Sequence, residues 1–94
     1  MIKLVEVFKM PHQNHYTLRE IYVNPKHIVA LREEANFKQK LTEGQLPENL
    51  DARQEFTRLT LDRGQSGLDV VVVGSPYVIE NKMHSADERQ LLKG

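Results

Sequence analysis

Four consecutive valines at positions 70–73 constrain this chain more than any other feature. Side chains branched at Cβ are stiff at χ1 and pack well on a pleated surface, so such a run favours sheet over helix. Residues 68–73 are therefore expected to form the most buried strand of the molecule. With 94 residues there is room for one domain and one core, burying about 60–65% of the unfolded surface.

The flanking sequence supplies partners for that strand. Ile2–Phe8 is short and mostly apolar, as expected for a strand buried on much of both faces. Residues 10–15 read as a loop, because Pro11 removes a ladder donor and Asn14 tolerates left-handed backbone. Residues 16–23 alternate, with Leu18 and Tyr22 on one side across Glu20 and with Ile21 and Val23 on the other. Asn24-Pro25 marks a turn in which proline presets φ and asparagine bonds nearby backbone. Residues 27–32 resume as a strand in which Ile28 and Ala30 oppose Val29 and Leu31. Residues 56–62 also alternate: Thr57, Leu59 and Leu61 share one face, and Phe56, Arg58 and Thr60 the other. The two glycines of residues 63–67 make a hairpin loop between this strand and the valine strand.

Two segments depart from strand texture. Residues 34–55 are polar, contain Gly44 and Pro47, and space Phe37, Leu41, Leu46 and Leu50 irregularly. Short helices at 35–41 and 49–56 are marginal without packing, and a solvated insertion is the expectation. Ser75-Pro76 is a helix start, a hydroxyl cap followed by proline at the first helical position, with Val78, Ile79 and Met83 on its apolar face. Ser85 to Glu88 repeats the capping-box spacing, so a second start is expected there. The fold class is thus mainly β (α+β): a small five-stranded antiparallel sheet or SH3-like open barrel with a short C-terminal helix. Residues 1–84 form the β-rich domain, with the polar insertion at 34–55. Residues 85–94 form a charged, frayed tail.

Composition removes several chemistries. The 13 Lys+Arg offset 13 Asp+Glu, so net charge favours neither a polyanion nor a basic partner. There is no cysteine, which excludes disulfides, thiolate nucleophiles and thiolate metal sites. No apolar run approaches the roughly 18 residues of a membrane span, and Met1-Ile2-Lys3-Leu4 lacks a secretory apolar block; a cytoplasmic setting is expected. His12 and His15 have H-x-x-H spacing in a loop, with His27 and His84 elsewhere. A zinc site wants three or four convergent ligands, so these read as solvated side chains, and no metal is expected. Glu33, Glu34, Glu48, Asp51, Glu55, Asp62 and Asp69 sit mainly in polar sequence, where ionised surface groups are the default. Ser66 and Ser75 lack the strained-elbow pattern of a nucleophile, and the short 64–67 glycine loop cannot cradle a phosphate. No catalytic residue and no cofactor is expected.

What remains is binding. Tyr16, Arg19 and Tyr22 are the expected contact residues, and Tyr77, Leu91 and Leu92 offer further interface area. Edge strands must be covered, and self-association does so, making a homo-oligomer the expectation. The alternative is a nucleic-acid-binding or nucleotide-sensing β module, such as a phage or mobile-element regulator, using Lys3, Lys9, Arg19 and Lys26 with Tyr16 or Tyr22 as a stacking platform. Met1-Ile2-Lys3-Leu4, the stretch from Ile21 to Ile28 (IYVNPKHI), the stretch from Thr57 to Gly64 (TRLTLDRG) and the stretch from Val70 to Ile79 (VVVVGSPYVI) resemble the small FlbD/SwrD-like proteins. The likeness covers about half the chain, which differs in the loop before residue 16, the 34–55 insertion and the tail. It implies a small cytoplasmic accessory protein without catalytic residues; action through binding a protein partner is the expectation drawn from the residues themselves.

Overall fold

Each strand forms where its alternation begins and ends. The computed structural model describes residues 1–13, 15–37, 40, 44, 50, 53–63 and 66–93, without the side chains of residues 63, 66 and 86–93. Strand β1 spans Ile2–Phe8, β2 Thr17–Val23, β3 Ile28–Glu33, β4 Phe56–Arg63 and β5 Ser66–Val73; helix α1 spans Pro76–Lys93. All neighbours are antiparallel, in the order β2-β1-β5-β4-β3. The valine strand β5 is therefore central, with Val70, Val71 and Val72 buried.

The connection from β2 to β3 bends the sheet. These strands are its two edges, yet only residues 24–27 join them. Val23 pairs with Ile2 beyond the C-terminal end of β5, whereas Ile28 pairs with Leu61, which lies opposite Leu68 near the start of β5. The two residues thus stand at diagonally opposite corners. In a flat sheet four inter-strand spacings alone come to about 19 Å, while five extended residue steps reach only about 17 Å. The connector is shorter still, because Pro25–His27 form a 3-10 turn. The sheet must coil until the corners approach, and Val23 and Ile28 do meet in one cluster with Ile2, Leu4, Leu59, Val70 and Val72. The sheet stays open: no ladder joins β2 to β3, so the five-stranded antiparallel sheet forms and barrel closure does not. The turn is built as its sequence dictates, with Asn24 Oδ1 accepting from the Lys26 N–H at 3.0 Å and proline at the first position.

Helix α1 covers this inner face. The Ser75 hydroxyl accepts from the Val78 N–H at 3.2 Å, capping the first turn. Ile79 is fully buried and Met83 packs beside it, but Val78 is exposed and does not share their face. The helix is continuous through Ser85, so the second start expected there is not realised; the intact i→i−4 ladder leaves no free amides for Ser85 to cap.

The outer face carries a second cluster of Val7, Phe37, Phe56 and Val71, with Tyr16, Leu18, Leu50 and Val73 against it. Phe37 departs from the solvated insertion expected for 34–55: its ring lies 5.7 Å from that of Phe56 and 5.0 Å from that of Tyr16. Of the two expected short helices, Asn36, Phe37 and Lys40 have helical backbone. In the second, residues 53–55 are not helical and Phe56 opens β4; residues 49, 51 and 52 lie outside the described set. In β3 a register shift between Ile28 and Ala30 puts Ile28 and Leu31 together in the inner cluster and leaves Val29 exposed. The extra residue of a bulge resets the alternation expected for residues 27–32.

Candidate functional site

Tyr16, Arg19 and Tyr22 do not converge. Tyr16 precedes β2 and is half-buried, its ring edge-on to Phe37 and its hydroxyl accepting from Lys40 Nζ at 2.7 Å. That ammonium also stands 4.7 Å from the Tyr16 ring and 4.8 Å from the Phe37 ring. Tyr16 is thus part of the outer cluster and offers little to a partner.

Arg19 projects to the inner face, the register placing it directly opposite Glu6. Arg19 Nε donates to Glu6 Oε1 at 2.7 Å, and the guanidinium carbon stacks 3.9 Å above the Phe8 ring. Glu6 is buried, and a buried carboxylate needs a partner far more than the half-exposed arginine does. Arg19 therefore acts first as a counter-ion.

Tyr22 alone of the three is free. It is 61% exposed on the outer face of β2, directly opposite Lys3. Its neighbour on that face, Glu20, lies opposite Val5 and 3.7 Å from Lys3 Nζ. Val5 is also exposed. The outer face is thus covered at one end by Phe37 and Leu50 and open at the other, where Lys3, Val5, Glu20 and Tyr22 lie. Beyond them runs the edge of β2, seven residues paired one-to-one with β1 and free of bulge or proline. The opposite edge, β3, carries the bulge and ends in Arg32-Glu33, two devices that discourage strand addition.

Among the described basic residues, Lys3, Arg19 and Arg58 each stand beside a carboxylate. Lys3 and Arg19 occupy opposite faces. Arg58 Nε donates to Glu34 Oε2 at 2.6 Å and Arg58 Nη1 lies 3.6 Å from Asp69 Oδ2. The Glu34 hydrogen bond, opposed by desolvation and helped by the charges of Glu34 and Asp69, raises the Arg58 guanidinium above its ordinary range. His84 Nε2 lies 3.6 Å from Glu80 Oε1 on α1, and His12 and His15 are exposed. Among the described residues no group of three or more His, Asp or Glu is placed to hold a metal ion. An open cleft of about 540 Å³ lies where β5 meets α1, lined by Val73, Gly74, Ser75 and Val78 on one side and Arg53, Gln54 and Glu55 on the other. Ser75 there is committed to capping α1. No helix of the described residues is long and apolar enough to cross a membrane.

No protein-family model, no curated protein and no solved structure matches this chain.

Sequence reasoning singled out Tyr22 as an aromatic residue available for an interface. It missed the feature that makes Tyr22 accessible, the edge position of β2, because strand order depends on pairings between distant segments.

Proposed function

We propose that this chain is a small non-enzymatic accessory or regulatory protein, cytoplasmic in setting, that works by binding protein through the β2 edge. The observation that carries the reading is the edge itself: a regular strand of low net charge whose outer edge pairs with no other described strand and whose outward tyrosine is exposed. Such an edge presents a row of backbone donors and acceptors that an added strand satisfies, and side chains flanking the edge supply specificity. The resemblance of IYVNPKHI and its companion segments to FlbD/SwrD-like accessory proteins points the same way. The nucleic-acid alternative has less support, since Lys3, Arg19 and Arg58 lie beside carboxylates rather than along one open surface.

Site-specific photocrosslinking in the native cell tests the reading. A photoreactive aromatic residue in place of Tyr22 is expected to capture a polypeptide. The same residue in place of exposed Lys82 on α1 is expected to capture none at comparable yield. Capture of nucleic acid from position 22 would favour the alternative. Equal or absent capture at both positions would remove the β2 edge as the binding surface.

A further inference from the structure

We infer that the strand added to β2 is β2 of a second copy, running antiparallel about a two-fold axis through Ile21. This deepens the reading of β2 as a binding edge and rests on it.

The register follows from the order of charges along the strand. A two-fold axis normal to the sheet keeps each face continuous across the new seam, so a residue meets itself at the centre and partners of equal parity elsewhere. Centring on Glu20 opposes two glutamates, and centring on Arg19 opposes two arginines; like charges directly opposite are destabilising. Centring on Leu18 or on Tyr22 leaves only a short overlap within Thr17–Val23. Centring on Ile21 is the longest arrangement without opposed like charges. It sets Ile21 against Ile21 on the inner face, where Ile21 already flanks the apolar cluster. On the outer face it sets Glu20 of each copy against Tyr22 of the other.

That outer row accounts for the side chains left uncovered in the single chain. Across the seam it reads Val5 and Glu20 of one copy, then Tyr22 and Lys3 of the other, repeated symmetrically. The exposed Tyr22 ring gains a neighbour, its hydroxyl a carboxylate acceptor, and Glu20 lies between Lys3 of its own chain and Tyr22 of the second. The strand is self-complementary in this register because its single acid and single base are each placed opposite an uncharged residue.

The chain contains no cysteine, so single-cysteine variants report the register without interference. Opposed residues of an antiparallel pair have Cα atoms about 4.5–5.5 Å apart, within disulfide reach. The 94-residue chain is expected to show twice its monomer mass by sedimentation at tens to hundreds of micromolar. Ile21→Cys is expected to crosslink to itself at least about tenfold faster than Glu20→Cys or Tyr22→Cys alone, because only residue 21 meets its own copy. A mixture of Glu20→Cys and Tyr22→Cys is expected to crosslink heterologously. Both positions are exposed, so this arm decides the register even if Ile21→Cys does not fold. Tyr22→Glu, which opposes two pairs of glutamates, is expected to weaken the dimer by about tenfold or more. A monomer over the whole concentration range would overturn the inference, as would an assembly larger than a dimer or a fastest crosslink elsewhere. A monomer whose position 22 still captures another protein in the cell would leave the binding edge standing and remove only the self-pairing.

Discussion

Gly74→Ala is expected to cost about 2–4 kcal/mol, combining positive-φ backbone strain of about 1–3 kcal/mol with a steric penalty. Gly74 has φ +123°, a conformation that residues with a Cβ rarely adopt. A Cβ built there would stand 3.3 Å from Ile79 Cδ1, and Ile79 is fully buried on the sheet-facing side of α1. The backbone cannot rotate away from the strain, because it is held on both sides. The Gly74 N–H donates to the Glu55 carbonyl at 2.9 Å, and the Gly74 carbonyl accepts from the buried Thr57 hydroxyl at 2.7 Å. This residue swings the chain off the central strand into the helix that covers the sheet. For a domain whose whole stability is on the order of 5–10 kcal/mol, the change is large. At about 4–8 °C per kcal/mol, thermal unfolding should fall by roughly 8–32 °C. Gly44→Ala is the control: its φ is +78° but nothing lies within 4 Å of the added carbon, so its effect should be smaller. A loss below about 0.5 kcal/mol, the level of an ordinary surface change, would contradict the role given to Gly74.

Phe56→Ala is expected to cost about 3–5 kcal/mol, the usual loss for emptying a buried aromatic site. Phe56 is 1% exposed and lies between the sheet and Phe37. The consequence reaches past the cavity, since Phe37 ties the polar segment after β3 to the outer face. Phe37→Ala should then cost several times more than a surface substitution, and the double variant should lose less than the sum. The shortfall expected for an aromatic pair is about 0.5–1.5 kcal/mol. Equilibrium urea unfolding of the two single variants and the double variant measures it. Strict additivity, or a silent Phe37→Ala, would return Phe37 to the status of a solvated side chain.

The 34–55 insertion shows where the sequence stops being legible. Strand limits were readable because period-two alternation is local, and because Asn24-Pro25 and Ser75-Pro76 act on their own backbone. The N–H acceptors seen at Asn24 and Ser75 are those the residue types dictate. Phe37 carries no such periodicity, being a lone aromatic among polar residues, and only the tertiary fold assigns it a pocket. The bulge at Val29 is equally non-local. Nothing in Ile28 to Leu31 distinguishes a bulged from a regular strand, and the pairing with β4 decides. The candidate site divides along the same line. Tyr22 was visible as a residue of an alternating strand, on the side away from Ile21 and Val23, whereas Tyr16 was spent on Phe37 and Lys40 and Arg19 on Glu6, through contacts between segments distant in sequence. Edge status, on which the proposed function rests, belongs to the order of strands and to no single segment.

The claim that β2 is an unpaired edge within one chain and a paired strand between two is tested most directly by residue-resolved amide hydrogen exchange at two protein concentrations. Amides of Val70 to Val73 in the central strand should be protected equally at both, because their partners lie within the chain. Alternate amides of residues 19–23 should exchange freely in dilute solution and become protected as the concentration rises. Protection throughout β2 that matches β5 and ignores concentration would mean that the edge is already covered inside the monomer, and the account of its function would be wrong.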